Sequence, residues 1–184
     1  MEFVDDRLLF SELRELAISE GLDDIGIASV DPLMEARREL EDRKQRGLHG
    51  GMHFTYGNPK RATSPADLME GAQSLVVALR RYEAPSDFIR PGFGSVAHYV
   101  ARDEYGQLRS GLEAVASFLH AQGSAAEVVF DDNRLVDRAI AVRAGLGWIG
   151  KNSMLLNPEL GSWTVIGSVV TDRLIIVESQ GHSD

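Results

Sequence analysis

The stretch RAGLGWIGKNSML, residues 143–155, constrains the fold of this chain more than any other. Gly145, Gly147 and Gly150 spell G-x-G-x-x-G, a dinucleotide fingerprint, while the run from Gly145 to Lys151 satisfies G-x-x-x-x-G-K, most of a P-loop. Either motif holds phosphate only when a strand precedes the first glycine and a helix follows the last, so that the helix's first N–H groups meet the anion. Here the order is inverted. LVDRAIAVRA, before Gly145, has helical spacing, and the segment after Gly150 reaches Pro158 and Gly161 too soon for a crossover helix. Asn152 stands where a P-loop needs Ser or Thr, and Asp172, at a strand end, lacks the intervening helix that would aim it at a ribose. Both nucleotide readings fail. Gly145 reads as the left-handed end of a helix. The following GWIGKNS combines glycines that admit close backbone approach with Lys151 and Asn152, the makings of a ligand-contacting turn.

Periodicity sets out the rest of the chain. Leu9, Leu13, Leu16 and Ala17 share one helical face and predict a helix over residues 6–20. Residues 25–30 predict a strand. Asp31-Pro32 opens a charged amphipathic helix reaching about residue 45. RGLHGGMHFTYGNP reads as an irregular loop, SPADLMEGA as a short helix and SLVVALRRY as a strand. Residues 83–102, with Pro85, Pro91, Gly92 and Gly94, form a long segment of the kind that is functional in compact domains. Leu108, Leu112, Val115 and Leu119 mark a helix of about four turns. AAEVVFDD predicts a strand, LVDRAIAVRAG a helix, and SMLL, SWTVIGSVVTD and RLIIVE three further strands before a polar tail. The expectation is one α/β (α+β) domain over residues 1–184, with a core over 6–172, a terminal strand and tail over 173–184, and a mixed central sheet flanked by helices.

Composition narrows the function classes. A chain of 184 residues with a 43% hydrophobic and 26% charged content can bury a full core. The net charge of −9 opposes broad, sequence-independent adhesion to nucleic acid, although NPKRA and RRY are locally basic. No apolar run approaches a membrane span and the first residues are acidic, so the expected location is the cytoplasm. The chain has no cysteine, hence no disulfide, thiol nucleophile, Cys-type zinc site or thiolate ligand for an iron–sulfur cluster. His49 and His53 lie four apart in HGGMH, but the glycines oppose a helix and the glutamate of H-E-x-x-H is missing, so no metal site is expected.

DRAIAVRAGLGWIGKNSMLLNPELGSW closely resembles the N-terminal cobalamin-binding domain of the epoxyqueuosine reductases. In that family a D/E-R-x-x-A-x-x-A-G-x-G helix is followed by G-K-N and then P-E-x-G-S. DDIGIASVDPL, KRATSPADLMEGAQSLVVAL and VAHYVARDEYGQLRSGLEAVASFL are similar to its other segments in the same order, so that the resemblance spans about residues 13–172. It implies a flavin-reductase-like, cobalamin-processing-like α/β domain that binds cobalamin and removes the epoxide oxygen of epoxyqueuosine in tRNA, fed with electrons by an adjoining iron–sulfur module. It also implies a proton-donating Asp, which falls on Asp131. Arg61 matches the family's arginine and would meet a propionamide or phosphate of the corrinoid. His98 would lie near the cobalamin without bonding cobalt, and Gly150, Lys151, Asn152, Ser153 and Met154 would present backbone and amide groups to the corrin edge. From the residues alone, Asp131 crowded by Asp132 at a strand end suits a proton donor, and the same Asp131-Asp132-Asn133 equally suits a turn with a helix N-cap.

The chain also departs from the family pattern. DNR replaces the usual small-residue-and-proline segment after the acid, Ser168 stands where members commonly carry Glu, and RLIIVESQGHSD replaces the cysteine-rich cluster motifs. Three readings therefore stay open. One is a cobalamin-dependent reductase domain supplied by an electron-donor protein. Another is a stand-alone corrinoid- or flavin-binding or processing protein without tRNA chemistry, and the last a degenerate structural domain. A homodimer covering the face left by the missing module is a further expectation.

Overall fold

The computed structural model describes residues 6–82, 92, 94, 97, 99 and 102–177. Helix α1, Asp6–Ser19, buries Leu9, Leu13 and Ala17 along the predicted face. Strand β1, Asp24–Ser29, leads to α2, Met34–Gln45, a charged helix with no buried residue. Two single-turn helices, α3 over Phe54–Gly57 and α4 over Pro59–Ala62, occupy what reads as loop, followed by a 3-10 turn at Pro65–Asp67. Then come β2, Ser74–Arg81, helix α5, Glu104–Ala121, β3, Ala126–Val129, and α6, Asp137–Arg143. A two-stranded hairpin of β4, Trp148–Ile149, and β5, Leu155–Leu156, precedes β6, Thr164–Thr171.

The central sheet runs β1-β2-β6-β3, and each neighbouring pair is antiparallel. The layering is the α/β arrangement expected; the mixed strand directions are not present. The reason lies in α5. It joins β2 to β3, which do run the same way, as a strand–helix–strand pattern suggests. But β6 inserts between them, pairing Val77 with Ser168 on one side and Val129 with Ser168 on the other. The expected strand at RLIIVE is also absent from its described residues, since 174–177 have no regular structure. Their backbone is tied by side chains instead: Ile175 N–H donates to Ser74 Oγ (3.0 Å) and Ile176 N–H to Asp6 Oδ2 (3.1 Å).

Alternation along the strands gives the sheet two apolar faces. One packs Ile25, Val76, Ala78, Val165 and Val169 against α1 and α5, through Leu9, Leu13, Leu108 and Leu112. The other packs Leu75, Val77, Val129 and Val170 against α6, through Leu135, Ile140 and Leu146. Helix α6 ends as its sequence requires. Gly145 is left-handed (φ 78°), its N–H donates to Val142 O and that of Leu146 to Ala141 O, closing the last turn over a buried Leu146. Its C-terminus also presses on β1, where a Cβ at Gly26 would lie 2.2 Å from Ala144 O.

Candidate active site

Where β3 ends, the chain must turn sharply to start α6, and that turn builds one wall of an open cleft of about 580 Å³. Phe130 to Arg134 form this wall; Phe54 of α3, Arg61 of α4 and Asn58 between the two helices form the other. Asp131 adopts a left-handed backbone (φ 48°), a conformation that Asp tolerates better than most residues. Asp132 holds the turn in place. Its Oδ1 accepts from Arg134 N–H (2.8 Å) and its Oδ2 from Arg134 Nε (2.7 Å), while Arg134 also reaches Glu127 on β3 (3.1 Å). Burial pushes the Asp132 carboxyl upward, but the hydrogen bonds and charge of Arg134, with the charge of Arg61, outweigh it and hold Asp132 below the usual range.

The sequence places Asp132 as the carboxylate crowding Asp131. The structure turns it toward Arg134 and leaves Asp131 exposed to the cleft, without a hydrogen bond or ion pair among the described residues. The acid whose charge state Asp131 does affect is Asp137, the first residue of α6. Asp137 Oδ1 is buried without a partner. Burial above all, then the negative charges of Asp131 and Asp132, outweigh the opposing charge of Arg138 and push Asp137 up to about 7. From α5, Tyr105 closes the group. Its phenol is raised by burial, then by Asp131, Tyr99, Asp137 and Tyr82, and its ring stacks on Phe130 at 6.1 Å. On the same sheet face as α6, the hydroxyl of Ser168 is fully buried and likewise without a partner.

The GWIGKNSML segment is the β4–β5 hairpin. Gly150 N–H donates to Met154 O (2.9 Å), Ser153 N–H to Gly150 O (2.9 Å) and Met154 N–H to Asn152 Oδ1 (3.1 Å). The Asn152 amide oxygen thus braces its own turn. Gly147 is required by packing, because a Cβ there would sit 2.1 Å from Leu156 O. Lys151, Asn152 and Ser153 remain exposed at the tip, with Trp148, Ile149 and Met154 offering apolar surface. Arg138 of α6 donates to Ser153 O, tying the hairpin to the helix that carries Asp137.

Of the sequence-derived candidates, Arg61 and Asp131 meet in one cleft. Gly150, Lys151, Asn152, Ser153 and Met154 do not line it; they share a separate hairpin coupled to it through α6. His98 lies outside the described residues. Sequence reading missed Asp137, Arg138 and Tyr105. The available signal was a lone carboxylate between apolar residues in LVDRAIA, a poor place for a charge. No group of three or more His, Cys, Asp or Glu residues suited to a metal ion occurs among the described residues, and no helix among them is long and apolar enough to cross a membrane.

No family model matches the chain. It is 30% identical over 165 residues to an epoxyqueuosine reductase of Bacillus anthracis, covering 83% of this chain and 42% of that protein. It is 31% identical over 168 residues to the epoxyqueuosine reductase of Leadbetterella byssophila, covering 88% and 54% respectively. Its fold superposes on an epoxyqueuosine reductase solved with an epoxyqueuosine-modified tRNA stem loop (TM-score 0.79, 26% identity, 98% of this chain and 49% of that one). The Bacillus subtilis enzyme, solved with its catalytic aspartate loop swung out of the active site, superposes at TM-score 0.80 and 25% identity, over 98% of this chain and 49% of that one. A reductive dehalogenase studied for B12-dependent dehalogenation shares the fold alone, at 16% identity and TM-score 0.61, over 100% of this chain and 22% of that one. The resemblance drawn from the sequence is borne out. The chain spans about half the length of the epoxyqueuosine reductases it matches.

Proposed function

We propose that this chain, a homologue of about half of an epoxyqueuosine reductase, is a cobalamin-binding reductase domain acting as one unit in the cytoplasm on an epoxide carried by tRNA. The observation that carries the reading is the cleft itself, which sets the exposed, unpaired carboxylate of Asp131 facing Arg61. Removing an epoxide oxygen takes two electrons and two protons, and converts C–O–C into C=C and water. Asp131 gives a proton to the oxygen as a C–O bond breaks. Arg61 binds an anionic or amide group of the bound partner, and Phe54 and Phe130 supply apolar walls.

The residues present fit a broad corrinoid. The hairpin tip offers exposed polar groups at Lys151, Asn152 and Ser153 beside the apolar surface of Trp148, Ile149 and Met154. That pairing suits a flat ring fringed with amides, with Gly150 allowing the turn its close packing. When bound, the corrinoid supplies the redox chemistry. With no cysteine in its sequence, this chain cannot itself ligate an iron–sulfur cluster through thiolates, so electrons come from a group outside these residues, such as a donor protein.

Titration of the purified protein with cob(II)alamin, read by visible absorbance and electron paramagnetic resonance, tests the reading. The expected result is a saturable spectral change that is lost in the Lys151→Ala/Asn152→Ala double variant. A flat titration of the wild-type protein overturns it.

A further inference from the structure

The proposed reaction delivers two protons to one oxygen, and among the described residues only one carboxylic acid, Asp131, lines the cleft unpaired. The first proton accompanies opening of the ring and leaves a hydroxyl. The second must reach that same oxygen for the remaining C–O bond to break and water to depart, as two electrons from a low-potential reductant complete the double bond. Asp131 therefore has to recover a proton between the two events. A substrate seated in the cleft covers its outer side. The acid that feels the charge of Asp131 is Asp137, whose Oδ1 is buried without a partner.

Resting on the reductase reading, we propose that Asp137 is a positioning acid that holds the second proton and returns it to Asp131. Three observations converge on it. Asp137 Oδ1 is buried with no partner, an arrangement costly for a carboxylate and tolerable for a neutral acid. Asp137 opens α6 directly after the loop that carries Asp131. Charge on Asp131 acts on Asp137, and both carboxylates act on Tyr105.

The groups that face Asp137 set the direction of this coupling. Asp131 and Asp132 from the β3–α6 loop favour its protonated form, and Arg138 on its own helix opposes them. Tyr105 from α5 stays a phenol, because burial and both acids disfavour its ionisation. Among the described residues, the strands packed against α6 add no further charge that acts on Asp137. When Asp131 loses its proton to the substrate, its new negative charge strengthens the hold of Asp137 on its own. Transfer therefore waits until Asp137 and Asp131 share the proton in direct contact or through Tyr105. The pair behaves as one coupled acid rather than as two independent ones.

Carboxyl ¹³C NMR of the aspartate-labelled, cofactor-free protein tests the coupling without any turnover. We expect one carboxyl resonance titrating near pH 7, matching the raised Asp137 acid, absent in Asp137→Asn. In Asp131→Asn its midpoint falls by roughly half a pH unit or more, because a neighbouring negative charge is gone. A midpoint unmoved by Asp131→Asn, or no aspartate titrating above the ordinary range, overturns the proposal. The second arm is single-turnover deoxygenation of an epoxyqueuosine-bearing tRNA stem loop by cobalamin-loaded protein with titanium(III) citrate. Asp137→Asn lowers the rate about 100-fold, a loss typical of general-acid removal, and abolishes the pH dependence near neutrality. Asp137→Glu restores most of the rate. Unchanged activity in Asp137→Asn, or no rescue by Asp137→Glu in a variant that keeps the wild-type melting temperature, also overturns it. Failure of cobalamin to bind the wild-type protein sinks the reductase reading, whereas intact binding with uncoupled carboxyl groups sinks only the role of Asp137.

Discussion

The two faces of the central sheet differ in what they leave unsatisfied. The face under α1 and α5 is closed by Leu9, Leu13, Leu108, Leu112, Val115 and Leu119, all at or below 1% exposure, and among the described residues no polar side-chain atom in it is orphaned. The face under α6 is equally apolar in its strands, yet it carries the Ser168 hydroxyl buried without a partner, and Asp137 starts the helix that covers it. A fold gains nothing in stability from an unmet hydroxyl or a buried acid. The first face thus holds the molecule together, while the second accepts a cost next to the cleft. Such a division is expected where function opposes stability.

Breaking the first face should have the largest effect. Leu112→Ala opens a cavity against Gly167 and Leu108 and should cost about 2–5 kcal/mol, read by urea or thermal unfolding. A cost below about 1 kcal/mol would show that this face relaxes freely, and would remove the contrast. On the other face the sign reverses. Asp137 has a folded-state pKa near 7 against an ordinary 3.8, so the folded protein holds a proton that the unfolded chain releases. Stability therefore falls as pH rises from about 4 to about 7 and then levels off. Asp137→Asn should flatten that slope and stabilise the protein at pH 8 by up to about 4 kcal/mol, with nearly no gain at pH 4. Melting curves at the two pH values check this, and an equal shift at both would mean that the acid is not buried in its charged form. The smallest effect belongs to Ser168→Ala, which removes an unpaired hydroxyl from the middle of β6 and should stabilise by about 1 kcal/mol. A loss instead would reveal a partner for that hydroxyl.

Local periodicity made much of this legible. Helices α1 and α5 follow from apolar spacing along one face, and strands β2 and β6 from near-continuous apolar runs that are buried on both faces. Gly145 was readable as a helix end for the same reason: its conformation depends only on the residues beside it. Strand direction was not readable, since it is decided by where β6 inserts, almost a hundred residues beyond the β2 residues it pairs with. RLIIVE carries strand-forming residues, but its backbone N–H groups find Ser74 and Asp6 first. In the cleft, Asp131 was reachable from its place after an apolar strand and from family resemblance. Asp137 was hidden because its significance comes from burial and from charges brought close only by the fold.

The placement of β6 has a consequence for how the molecule is made. It is the last strand in sequence among the described residues and also an interior one, pairing with β2 on one edge and β3 on the other. During synthesis β2 and β3 emerge first and wait, each with an open hydrogen-bonding edge, until residues 164–171 arrive to join them. Until then β2, apolar on both faces, is an exposed template for any stray extended segment. Sheet closure is therefore a late, long-range event, slow by topology and vulnerable to aggregation in the interval before the final strand slides home.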